Sequence, residues 1–314
     1  MILMKNNLLS ALCVLLTGVL LLSCEKPVID DTVPSETTAM GKVTIRVADV
    51  EAGWSASTTR ALVNVSEVCT RLCFAVYKDG SRVKSKNQAK GDSDFGTFSM
   101  ELESGDYQIL VLAHSGKSNP TTTHPDKIEF TNPDRSGGTG FTDTFYYYGD
   151  LTVTAGSTQV DISMKRATSM FRVVTTDVKP ANIKKFQFYY EGGSRNLDAT
   201  TGFGYGNSQQ SVFVTTGDEL TGQTLQFDMF TFLHAETGKV TFTVKAFDDK
   251  EDIIYQREFK DVSMQRNCIT RYTGKYFVAD SPDKPDEPEP DPEEPKSMVV
   301  MVDPEWANIF DFTF

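Results

Sequence analysis

The sequence predicts an all-β protein built as two β-sandwiches in tandem. Three observations carry that prediction. Apolar residues recur with period two in many short runs, among them 43–47, 72–76, 107–111 and 186–190, which is the spacing of strands with one buried face. Turn-forming residues such as Lys78-Asp79-Gly80-Ser81 separate the runs. Past residue 23, no stretch holds a 3.6-residue apolar period for three helical turns.

Composition narrows the function classes. Among 314 residues the net charge is −12, with 43 acidic against 31 basic side chains. That balance leaves no basic patch for a phosphate backbone, so nucleic acid is not expected as a partner. The 21 Phe and 11 Tyr argue for well-built cores and against disorder.

In order along the chain, residues 8–22 form an apolar run behind the single charge of Lys5. A membrane-spanning helix needs about 20 residues, so the run suits the core of an export signal. Leu21-Leu22-Ser23-Cys24 then resembles the lipobox of bacterial lipoproteins. The resemblance implies cleavage after residue 23 and a fatty-acylated Cys24 that ties the chain to a membrane. Residues 24–40 are polar, with Asp30-Asp31 and two prolines, and read as a tether. The acidic residues behind the cysteine also resemble the surface-export signal of Bacteroidetes lipoproteins.

Residues 41–166 read as the first sandwich. Val43, Ile45 and Val47 share one face of a strand, while Thr44 and Arg46 share the other. Residues 71–77 are apolar on both faces, as a central strand would be, and Gly80 suits a hairpin turn needing positive φ. Gly105 allows a tight turn before Tyr107, Ile109 and Val111 alternate. Residues 117–144, rich in Ser, Asn, Pro, Thr and Gly, read as a long surface excursion. Tyr146, Tyr147 and Tyr148 follow, suiting either a strand edge or a sugar platform. Residues 151–154 and 159–164 read as a closing hairpin about Ala155-Gly156-Ser157.

Residues 167–280 read as the second sandwich, entered with almost no linker. Phe186, Phe188 and Tyr190 alternate, Leu225, Phe227 and Met229 continue the pattern, and 240–247 pairs with 253–259 across an acidic turn. Residues 202–207 (GFGYGN) lack the Gly-Lys-Ser/Thr ending and following helix of a nucleotide loop. Residues 281–296 then alternate six prolines with seven acidic residues, an extended linker. Residues 297–314 turn apolar again. Trp306, Phe310, Phe312 and Phe314 are expected to dock on a partner, since burying one large aromatic is worth roughly 1.5–3 kcal/mol. The length of the linker argues for a docking site on another subunit.

Candidate chemistry is sparse. Cys69, Cys73 and Cys268 are the thiols left for the mature body. Cys69 and Cys73, four apart on one strand, would lie about 13 Å apart, beyond a disulfide's reach. His114 and His234 close strands and read as capping or surface residues, and with His124 they are too scattered for zinc. No serine sits in a nucleophile turn. Neither an enzyme nor a cofactor is expected.

Taken in order, the lipobox, Leu102-x-x-Gly105-x-Tyr107, Met164-Lys165-Arg166, the 186–190 strand and Arg266-Asn267 resemble the fimbrillin superfamily of Bacteroidales. The similarity is greatest to its fimbrial anchor subunits. The resemblance spans residues 24–277 and implies two transthyretin-like β-sandwich domains in a lipoprotein of the outer membrane. It implies other fimbrial subunits of a type V pilus as partners, joined by β-strand complementation. Shaft subunits of that family are trimmed after an arginine near the first strand, which makes Arg60 and Ala61 the candidate processing site. The alternative reading is a surface lipoprotein that binds a host or glycan ligand, with Tyr146–148, Phe203 and Tyr205 as its stacking candidates.

Overall fold

A computed structural model describes residues 39–52, 61–130, 142–206, 210–278 and 308–314. The first half holds β1 (Met40–Ala52), β2 (Ala61–Val63), the single-turn helix α1 (Val65–Val68), β3 (Arg71–Lys78), β4 (Ser81–Ala89) and β5 (Thr97–Glu103). It continues with β6 (Gly105–His114), β7 (Ile128–Glu129), β8 (Thr144–Val153) and β9 (Gly156–Arg166).

In β1, Val43, Ile45 and Val47 are buried as the alternation requires. A bulge between Val47 and Asp49 shifts the phase, so Val50 also faces inward. One edge of β1 pairs antiparallel with β5 along residues 40–46 and with β2 along 50–52. Its other edge pairs parallel with β9. The remaining strands run in the order β8-β6-β3-β4. The sheet folds over on itself: Val43 and Ile45 of β1 and Phe98 and Met100 of β5 share one core with Leu72, Phe74 and Val76 of β3. Phe74 and Phe98 meet across it at 5.6 Å.

The expected β8–β9 hairpin is not a ladder beside its turn. β8 and β9 pair only at the far end, Phe145 with Arg166 and Tyr146 with Lys165. Elsewhere β8 pairs with β6 and β9 with β1, so the 153–156 turn joins two layers. Asp79 (φ 51°) and Gly80 (φ 74°) adopt the left-handed pair that a two-residue hairpin demands. That turn leads into β4, an exposed edge strand carrying Arg82, Lys84 and Lys86, charges that oppose edge-to-edge association.

The second half holds β10 (Ser169–Thr175), β11 (Lys185–Glu191), β12 (Asn196–Asp198), β13 (Phe203–Gly204) and β14 (Gln210–Thr215). After them come β15 (Gln226–Thr231), β16 (Thr237–Phe247), β17 (Ile253–Gln265), β18 (Cys268–Gly274) and β19 (Asn308–Thr313). Two four-stranded sheets, β15-β10-β18-β19 and β14-β11-β16-β17, enclose an aromatic core. Phe171 stacks on Phe242 at 4.0 Å, and Phe186 packs on Phe227 at 4.8 Å. The layout repeats that of the first half. β10 pairs parallel with β18 and antiparallel with β15, as β1 does with β9 and β5. The protein is all-β, and its one described α-helix is a single turn.

Candidate functional site

The described residues form one compact unit, Ala39–Phe314, and two places in it gather the side chains singled out from the sequence. The first is the joint between the sandwiches. Met164-Lys165-Arg166 ends β9, and the Arg166 side chain is only 1% exposed. Its Nε donates to both Asp143 carboxylate oxygens at 3.0 Å, its Nη1 donates to Asn267 Oδ1 at 2.8 Å, and its guanidinium lies 4.7 Å from the Phe145 ring. Asn267 holds φ 58° at the β17–β18 turn, a conformation that asparagine tolerates well. The turn thus presents its side chain to Arg166. Thr168 completes the cluster by donating to Asp143 at 2.7 Å. A buried guanidinium needs its charge and donors satisfied, and here the partners come from both halves of the chain.

Beside this cluster, the outer face of β3 (Cys73, Ala75, Tyr77) packs on Ile128 and Phe130 from the first half and Leu197 and Phe232 from the second. β12 pairs with β7 on one side and β13 on the other, a small sheet shared between the halves. β3 is therefore apolar on both faces because one faces its own core and the other faces the joint. The 117–144 stretch, expected as a surface excursion, contributes β7 and the buried Ile128 and Phe130. Hydrophobic burial against the second half outweighs the polar residues around them.

His114 also sits here. It is 1% exposed, which corrects the expectation of a surface residue, while the expected capping role stands. The Gly116 amide donates to its Nδ1 at 3.1 Å, so the ring proton sits on Nε2, 3.8 Å from Cys73 Sγ. Burial lowers its pKa to about 4 and raises the Cys73 thiol to about 12. Both groups are neutral and enclosed, so the pair is packing rather than a nucleophile and its base. His234 is exposed, its Nδ1 3.0 Å from the Gly204 carbonyl.

Cys69, Cys73 and Cys268 are all buried, and Cys69 and Cys73 are free thiols. Cys69 and Cys73 do not share the expected strand. Cys69 caps the C-terminus of α1 and enters the first core, whereas Cys73 lies on β3 and faces the joint. Among the described residues, no group of His, Cys, Asp and Glu is placed to hold a metal ion. No described helix is long and apolar enough to cross a membrane.

Most of the stacking candidates are already engaged. Tyr146 and Tyr148 pack against the joint and Tyr147 against the first core. Phe203 carries the Arg266 guanidinium 4.6 Å from its ring, and the Tyr205 hydroxyl lies 3.3 Å from Glu129 Oε1. Gly202 (φ 79°) leaves room for the Tyr146 hydroxyl, which a Cβ would meet at 1.8 Å.

The second place is the chain's end. β19 pairs parallel with β18 of the same chain from Cys268–Asn308 to Thr273–Thr313. Within the single chain the strand's docking site is therefore its own β18. A parallel neighbour cannot follow through a tight turn, because the chain must first travel back along the strand. The stretch between β18 and β19 is long enough for that return. Phe312 stacks on Tyr272 at 4.9 Å, and Phe314 meets Phe259 edge-on at 5.1 Å. Phe310 lies opposite Thr270 and is half-buried. The most buried residue of the strand is Ile309, at 4% exposure against Met170, Ile269 and Phe230. Reading the tail for its largest side chains missed it. Arg271 pairs with Asp311 through two hydrogen bonds, Nη2 to Oδ2 at 2.8 Å and a second from Nε to Oδ1.

Cys24, Arg60 and Trp306 lie outside the described residues. Ala61 is the first residue of β2 and pairs with Ala52.

Comparison with solved structures finds distant likenesses. A candidate adhesin from Bacteroides ovatus is 12% identical, covering 73% of this chain and 85% of that one at a TM-score of 0.46. The fimbrial anchor protein Mfa2 from Porphyromonas gingivalis is 14% identical over 70% of this chain and 82% of that one, at 0.41. A fimbrial assembly protein from Parabacteroides distasonis is 13% identical over 75% and 90%, at 0.38. With TM-scores below 0.5, these likenesses carry no functional argument. No curated protein matches the sequence. The model of a family of unknown function, DUF6562, matches residues 35–308, and the chain belongs to that family.

Proposed function

We propose that this chain is a structural subunit of a cell-surface fimbria, held to the outer membrane through lipid on Cys24 and joined to other subunits by its terminal strand. One observation carries the reading: the last seven residues complete a sheet edge through side chains matched in charge and shape. An extended segment added to an open edge satisfies its own backbone and docks its side chains at once. The linker of residues 281–296 could span on the order of 50 Å at about 3.1 Å per residue, enough to offer the same strand to a neighbouring subunit. The lipobox and the ordered motifs at 102–107, 164–166 and 266–267 support the same reading. Arg60-Ala61 is the trimming point if this subunit matures as shaft subunits do.

The glycan-binding alternative would need free aromatic faces, and four of its five candidates have theirs engaged: Tyr146, Tyr147 and Tyr148 pack on the cores and Phe203 carries the Arg266 guanidinium. Shearing cells and sedimenting the fimbriae tests the proposal. The subunit is expected with the polymer; recovery on immobilised polysaccharide and absence from the polymer would favour the alternative.

A further inference from the structure

The outer face of the sheet β15-β10-β18-β19 is written in rows that run across all four strands. Register places Asp228, Arg172, Arg271 and Asp311 side by side. Arg172 donates to Asp228 at 2.6 and 2.9 Å, and Arg271 donates to Asp311 in the same two-pronged way. The two arginines stand on adjacent strands, and like charges directly opposite one another are destabilising. Each is therefore better accommodated with its own carboxylate beside it, and the carboxylate for Arg271 comes from β19.

The neighbouring row is apolar: Phe230, Met170, Ile269 and Ile309. At the far end, the Phe314 carbonyl oxygen lies 2.0 Å from where a Cβ on Gly274 would be, so the strand closes against a glycine. Sliding β19 by one residue turns Ile309 and Asp311 to the opposite face. Sliding it by two brings Ile309 or Thr313 to Arg271 in place of Asp311.

We propose that the β18 edge is a selective strand acceptor, with Arg271 as the residue that determines which strand it takes. It admits a terminal strand bearing a branched apolar residue, one intervening residue and then an aspartate, as a second copy of this chain would supply. The inference rests on the reading of the terminal strand as a connector.

The test uses full-length chains and labelled nine-residue peptides of sequence 306–314. A chain with Asp311→Arg loses the match of its own strand and keeps Arg271. It should bind the native peptide at least about tenfold tighter than a peptide carrying Asp311→Arg, the worth of one two-pronged charge-assisted pair. A chain with Arg271→Asp should show the reverse preference. If Arg271→Asp does not fold, Asp311→Asn and Asp311→Arg chains carry the comparison, since both leave β18 intact. Equal binding of the two peptides would overturn the selectivity while leaving the connector reading in place. Binding of neither peptide to any chain would overturn both.

Discussion

Replacing Arg166 by alanine removes the guanidinium that ties the sandwiches together. The change leaves Asp143 with only the Thr168 hydroxyl, frees the Asn267 carbonyl and empties the space over Phe145. Breaking one side of a buried ion pair costs about 3–5 kcal/mol. Arg166→Met, which keeps most of the apolar stem, should cost less, about 2 kcal/mol from the unpaired polar groups alone. Urea unfolding followed by circular dichroism reads both as a lowered midpoint at unchanged slope. A cycle with Asp143→Asn isolates the pair, and a coupling energy above about 1 kcal/mol is expected for groups in direct contact. A cost for Arg166→Ala below about 1 kcal/mol would refute the claim that this cluster holds the joint.

Other expectations follow from the same geometry. His114 has its pKa lowered from 6.5 to about 4 by burial, so the unfolded chain takes up that proton first as pH falls. Its contribution is complete above pH 6.5 and is lost as pH drops toward 4, a change of about 3 kcal/mol that His114→Gln should remove from the stability profile. Gly274→Ala puts a methyl group against the Phe314 carbonyl, so amides of β19 should exchange with deuterium faster while β16 and β17 stay protected; unchanged protection would contradict the close approach. Cys24→Ala should leave the protein unacylated by mass spectrometry and absent from the membrane fraction; normal retention would remove the tether from the account.

Legibility in the sequence followed the range of the interactions. Strands that bury one face against their own core, such as β1 and β11, announce themselves through alternation. β4 has almost no buried face and no apolar period to read, yet it forms because β3 offers it a hairpin partner. β7, β12 and β13 are two or three residues long and exist only where the halves meet. The joint was hidden for the same reason: Arg166 and Asn267 are 101 residues apart, and nothing local to either names the other. Each sits in a sequence motif, but neither motif carries a sign of the contact. α1 had a local signal, since Asn64 accepts from the Ser66 amide at 2.9 Å as an N-cap. With that cap recognised, Cys69 would have been placed ahead of the strand. In the tail, aromatic size drew attention to Phe310, Phe312 and Phe314. The register depends on the less conspicuous Ile309 and Asp311.

The most direct test of the central claim is assembly of a chain that ends at residue 280. Without the linker and β19, both sandwiches should keep their cores, while fimbriae isolated from cells making only this form should lack the subunit. Incorporation at the normal level would show that the terminal strand is not the connector.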